Sequence, residues 1–242
     1  MTPEALVDAT KAQINALGAV YYFHPDTLAH GKEHLGLDGM RFYVVGRAGV
    51  LGNVESPVVT SAFAYFTPAV VDKLWNSSID KVDPREAARA ALGCNAQIAR
   101  DALGDVPRLD EFCEAAEQVV ADVNPAGLAL YAGIVGEPLP QDLPARALHL
   151  VVCHRELRGS AHIAAVIAAG VHPSVAHAIR RPADLELFGW SAEVDVTDDD
   201  RANLAAADTA TDAMSASHYA SLSDAQRTAF TAGIDAMAEI LL

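Results

Sequence analysis

The stretch LHLVVCHRELRGSAHIAAVIAAG (Leu148–Gly170) begins and ends like a buried helix, yet its middle carries His154, Arg155, Glu156, Arg158 and His162. On a helical wheel at about 100° per residue, Leu148, Val151, Val152, Ile163 and Val166 define one apolar stripe. Arg155, Gly159 and His162 fall inside that stripe, with Glu156 at its edge. His154, Arg158 and His162 stack at i, i+4 and i+8. Leu150, Cys153 and Leu157 occupy the opposite side, so little of this helix faces water. Charges in such a place must be paired or hydrogen-bonded, or each costs on the order of several kcal/mol. Two readings follow. The polar residues form an Arg–Glu–His network that locks helices together, or they form the polar floor of a pocket. Gly159 favours the pocket: a mid-helix glycine costs about 1 kcal/mol relative to alanine and often marks close approach of a backbone or a ligand.

Outward from this helix the pattern is helical on both sides. Thr2 and Pro3 open a helix to about Val20, and Pro25 opens another that stops at Gly36. Met40–Val45 is rich in aromatic and β-branched residues and has strand character. A helix running into a glycine-rich loop is the better expectation, because nothing nearby offers strands to pair with. Asp83-Pro84-Arg85-Glu86 is a strong helix start. GEPLPQDLP, with three prolines, reads as a linker between an N-terminal helical domain (1–136) and the central helix with C-terminal helices (145–242), or as a break within one globule. The fold class expected is all-α: a multi-helix globule around a buried central helix, with a reduced C-terminal region.

The 242 residues suffice for a sizeable core, and 51% of them are hydrophobic. The formal charge of −15 argues against non-specific attraction to nucleic acid or to anionic membranes. Three cysteines without a CxxC pair fit a reducing cytoplasm. No signal peptide and no apolar run of about 18 residues is present, so neither export nor a membrane span is expected.

Other chemistry-bearing stretches are weaker. HGKEH (His30–His34) has i, i+4 histidines but not the HExxH order, and reads as a solvated helix face. GRAGVLG (Gly46–Gly52) is either a loop that aims backbone N–H groups at an anion, with Arg47 as a clamp, or a helix end followed by a turn. Tyr21, Tyr22, Phe23, Phe42, Tyr43, Phe63, Tyr65 and Phe66 supply aromatic surface to a core or to a cavity.

The stretches YYFHPD, GRAGVLG, VVTSAFAYFTPAVV and HRELRGSAHIAAVIAAG together resemble an uncharacterised actinobacterial family described as helix-turn-helix-like. Its members carry a GRAAPLG-like loop and an REHRGDGH-like helix. The resemblance covers nearly the whole chain and places the family's charged helix on His154, Arg155, Glu156, Arg158, Gly159 and His162, and its loop arginine on Arg47. Ser160-Ala161 stands where the family has Asp-Gly. The resemblance also implies a winged-helix-like C-terminal part, with matches at Trp190, Thr197 and Thr211-Asp212. The interval from Trp190 to Thr197 is too short and too acidic for a recognition helix.

The function expected on these grounds is a cytoplasmic protein with a helical pocket for a small organic molecule, and with no nucleic-acid or membrane partner. The arginines suit an anionic ligand. Arg47, Tyr22, His24, Phe63, His154, Arg155, Glu156, Arg158 and His162 are its expected lining. The alternative is a metal- or haem-dependent enzyme on the same cluster, with His154 and His162 as metal ligands or general bases. The two C-terminal helices carry a stripe suited to the protein's own core or to a second copy in a homodimer.

Overall fold

The computed structural model describes all 242 residues and contains helices and no strands. The order is α1 (Pro3–Leu17), α2 (Pro25–Leu35), α3 (Gly39–Ala48), α4 (Ser56–Phe63), α5 (Pro68–Ile79), α6 (Pro84–Ala102), α7 (Leu109–Asp122), α8 (Ala129–Val135), α9 (Leu143–Ala168), α10 (Pro173–Arg180), α11 (Asp198–His218) and α12 (Asp224–Leu241). Short 3₁₀ turns occupy Gly49–Leu51 and Pro182–Asp184.

Local chemistry sets these starts. Thr2, Asp83 and Asp142 each accept a hydrogen bond from the first turn of the helix that follows, with proline at its beginning. Thr197–Asp200 and Ser223–Gln226 form reciprocal capping boxes on α11 and α12. The strand-like Met40–Val45 is helical, as expected, and Asp38 caps it. GRAGVLG is a helix end and a turn. A side chain at Gly46 would come within 2.9 Å of the Ala91 methyl, and one at Gly49 would strike the Pro84 carbonyl. These glycines let α3 and the turn after it approach α6; the Gly49 N–H bonds the Val45 carbonyl of α3 and the Gly52 N–H bonds the Gly49 carbonyl.

Helix α9 is the axis. It packs against α1, α6, α7, α8 and α11, and Leu148, Leu150 and Val151 are fully buried on different sides of it. One apolar cluster of 47 buried residues runs from Leu6 to Met237, so both halves of the sequence share a core. The proline-rich segment before α9 is pinned to that core: Glu137 is buried and bonded by Arg85 and Arg89 of α6, at 2.6 and 2.8 Å.

The C-terminal end of α9 leads into a sharp turn. Gly170 adopts φ +74°, the Val171 N–H bonds the Val166 carbonyl at 3.1 Å and the Gly170 N–H bonds the Ile167 carbonyl at 3.0 Å. This pair of bonds is the Schellman ending, which needs a left-handed residue. His172 then caps α10, and the axes of α9 and α10 meet at 115°. A small second cluster, including Val166, Val171, Ala176 and Leu204, fixes α10 and α11 to the end of α9. From Trp190 onward there is no strand and no short helix between Trp190 and Thr197, only the long pair α11 and α12. No single helix is long and apolar enough to cross a membrane.

Candidate functional site: a basic groove beside a sharp helical turn

The polar residues of α9 leave it in three directions. Glu156 is the hub of the first set. Arg47 on α3 reaches it with two parallel bonds, Nε at 2.9 Å and Nη2 at 2.8 Å. Arg155 donates to it at 2.7 Å and Tyr22 at 3.1 Å. Burial pushes the Glu156 carboxyl up, but Arg47 and Arg155 outweigh burial and hold it at about 2. Arg47 also lies over the Phe63 ring at 4.7 Å and bonds the Tyr43 hydroxyl. Tyr22, Arg47, Phe63, Arg155 and Glu156 are therefore brought together as expected, and Tyr43 joins them.

The second set faces α7, α11 and the Tyr219 turn. His154 is buried between the Tyr219 hydroxyl, 3.0 Å from Nδ1, and the Ala116 carbonyl, 3.3 Å from Nε2. Burial lowers its pKa to about 4. The third set faces α11: Arg158 donates to Asp212 at 2.6 Å and to Ser215 at 3.1 Å, and His162 meets Thr211 at 3.1 Å. Asp212 also holds Lys11 of α1 at 2.7 Å. His24 stands apart; it caps α2 by accepting from the Asp26 N–H. His154 and His162, the expected metal pair, are each bonded to protein groups, and no cluster of three or more His, Cys, Asp or Glu residues is arranged to hold an ion.

Two adjoining cavities lie along the exposed side of α9. One, about 360 Å³, is bounded by α3, the α4–α5 turn, α9 and α10. The other, about 330 Å³, is bounded by α1, α9 and α11. Arg155, Gly159 and His162 belong to both. The groove so formed collects Lys11, Arg47, Arg155, Arg158, Arg180 and Arg181, six of the chain's 17 lysines and arginines. Asp208 is the one carboxylate in its lining. Set against Asp8, Glu156, Asp184, Asp208 and Asp212, which pair with members of this group, one positive charge remains over. On a chain of net charge −15 this is a local reversal of sign.

Tyr65, His177, Arg180, Arg181 and Phe188 line the larger cavity and were not among the expected lining residues. The Arg180-Arg181 doublet was the available signal. Tyr65 follows a strained bend: Ala64 has φ 56° and ψ −49°, and the Tyr65 N–H bonds the Phe63 carbonyl at 2.6 Å, which is a γ-turn of the rare left-handed kind. Trp190 fixes the bend by donating to the Tyr65 carbonyl at 2.6 Å. His177 is buried against Phe188, with ring centroids 4.2 Å apart, and its Nε2 has no hydrogen-bond partner.

The model of a helix-turn-helix family matches residues 7–184 of the chain. No curated protein and no solved structure matches it. The family match overturns two expectations: that the protein has no nucleic-acid partner, and that its role is instead to bind a small organic ligand. Helix-turn-helix pairs place their second helix in the DNA major groove. Two physical facts explain the error. The resemblance points to a winged-helix part after Trp190, whereas the sharp turn with a following helix lies upstream, at α9–α10. The net charge of −15 is a sum over the whole chain, and it conceals the basic groove.

Proposed function

The chain belongs to a helix-turn-helix family, and from that premise we propose that it binds duplex DNA, with α9, the Ala169–His172 turn and α10 as the docking pair. The observation that carries the reading is geometric. A helix pair at 115°, joined by a four-residue break with a left-handed glycine, has the angle and turn length of the DNA-binding motif, and it lies inside the matched span. In this reading α10 is the recognition helix. His172 at its start and Arg180 with Arg181 at its end are exposed. The imidazole supports contact with base edges, and the arginines support contact with phosphates. With few basic side chains in position, phosphate contacts are few and the salt dependence is shallow.

Within the family, the GRAGVLG turn and the HRELRGSAH segment support kinship with the actinobacterial members they resemble. Three free cysteines, Cys94, Cys113 and Cys153, support a cytoplasmic location.

The test is fluorescence anisotropy of a labelled mixed-sequence duplex, about 30 base pairs long, titrated with protein between about 50 and 200 mM salt. Binding is expected, with a log–log salt slope that becomes shallower by about 0.9 for each of Arg180→Ala and Arg181→Ala. No binding at the lowest salt, or slopes that neither substitution changes, would refute the reading.

A further inference from the structure

Gly159 sits in the middle of α9, where glycine weakens a helix. Most close-packed glycines in this chain have a visible reason. At Gly18, Gly31, Gly46 and Gly133 an added Cβ would press on a neighbouring side chain within 3.0 Å. At Gly159, as at Gly93 in the middle of α6, it would meet nothing within 4 Å; Gly159 alone of the two lies in the basic groove. Nothing inside the protein requires the missing side chain, and the open space it leaves is the floor of the basic groove, shared by both cavities.

Three further observations converge on the same groove. His177 is 4% exposed, lines the larger cavity and keeps an unpartnered Nε2; a buried ring nitrogen without a partner is a cost that an occupant can remove. Tyr65 is held at the rim by a strained backbone bend, and such strain gathers at binding sites. Guanidinium groups of Arg47, Arg155 and Arg180 line the cavity beside Tyr65, Phe66 and Phe188. Arginines that track phosphates, next to aromatic faces on which bases stack, are the two components of single-strand recognition. The cavity of about 360 Å³ lies within the range, roughly 300–1,000 Å³, of pockets that enclose a ligand.

We infer that the groove across Gly159 receives an unpaired nucleotide of a nucleic-acid strand. Its base stacks on Tyr65 beside the His177–Phe188 pair, and its phosphodiester passes over the bare backbone of Gly159, flanked by Arg155 and Arg158. His177 Nε2 hydrogen-bonds the base edge. The inference rests on the proposed nucleic-acid partner and adds a second element to it: α10 meets duplex, and the groove meets a strand that has left the duplex.

The experiment compares four labelled or competing probes by anisotropy at one salt concentration. They are a blunt duplex of about 20 base pairs, the same duplex with a single-stranded extension of about six nucleotides, the extension strand alone, and adenosine monophosphate as competitor. The extended duplex is expected to bind about 5- to 150-fold more tightly than the blunt one, the effect of ~1–3 kcal/mol for one stacked base. Gly159→Ala is expected to raise the thermal midpoint by about 2–4 °C, because alanine favours the helix, and to bring the ratio of extended to blunt affinity towards one. Tyr65→Ala is expected to lower the same ratio by at least about fivefold. Equal affinities for blunt and extended duplex would overturn the inference and leave the duplex reading standing. Binding of neither would overturn both. Competition by the free nucleotide at the affinity of the extension would show that no strand is needed, and overturn it too. A ratio unchanged in Gly159→Ala would remove the groove from the interaction.

Discussion

At the scale of single residues, Glu156 carries the heaviest electrostatic burden. Its carboxylate is buried and shared by two guanidinium groups and a phenol. Removing its charge leaves Arg47 and Arg155, both mostly buried, without their shared counter-ion. Glu156→Gln is expected to lose about 3–5 kcal/mol in urea unfolding, the usual cost of breaking a buried pair from one side; a loss below about 1 kcal/mol would mean that the network is solvated. The pH dependence has a definite sign. A carboxyl held at about 2 in the folded chain, against 4.5 unperturbed, stabilises fully above about pH 4.5, and that contribution is lost as pH falls towards 2. The Gln variant should lack this part of the acid transition.

At the scale of elements, the turn between α9 and α10 and the middle of α9 make opposite demands on glycine. Gly170 has φ +74° with nothing within 4 Å of an added Cβ, so its requirement is purely conformational. Gly170→Ala is expected to destabilise by about 1–2 kcal/mol, measured by thermal or urea unfolding. An unchanged midpoint would show that the left-handed turn is not held in solution. The pairing of α10 with α11 has a consequence for the proposed duplex contact. Asp208 of α11 holds Arg180 and lies 4.0 Å from His162, so it competes with phosphate for the arginine. Asp208→Asn is expected to tighten duplex binding by up to about fivefold, the value of a partly exposed ion pair of ~1 kcal/mol. Weaker binding in the anisotropy titration would show that Asp208 positions Arg180 instead of restraining it.

At the scale of the whole molecule, buried neutral histidines set the response to mild acid. His149 and His154 are 3% and 1% exposed, and burial lowers both to about 4 from 6.5. Burial lowers His162, His177 and His218 in the same sense. The unfolded chain binds protons first, so stability is complete above about pH 6.5 and is lost as pH falls towards 4. With His149 and His154 contributing equally, unfolding free energy is expected to fall by about 2–3 kcal/mol per pH unit within that window. His154→Asn should roughly halve the slope. A urea midpoint that does not move between pH 7 and 5 would contradict the burial of both rings.

What was legible in the sequence is what depends on neighbours along the chain. The all-α class, the caps at Thr2 and Asp83, the helix at Met40–Val45 and the burial of the central helix follow from periodicity and from short-range bonding. The apolar stripe shows that Arg155 and Glu156 must find partners; that Arg47 and Tyr22, 109 and 134 residues before Glu156, are those partners is decided by the fold. Other features depend on which elements meet. GEPLPQDLP reads as a linker, yet its Glu137 is held in the core by Arg85 and Arg89 of α6. The polar residues of α9 look like one network, but α3, α7 and α11 approach from different sides and divide them into three. The resemblance points to a winged-helix part after Trp190, and the sequence shows a short helix after His172-Pro173; that this helix leaves α9 at 115° is set by the tertiary structure. Above all, net charge is a sum over composition and contains no positions. Folding places Lys11, Arg47, Arg155, Arg158, Arg180 and Arg181 around Gly159 from four separate helices and the residue after one of them, so only the tertiary structure decides that an acidic chain presents a basic groove.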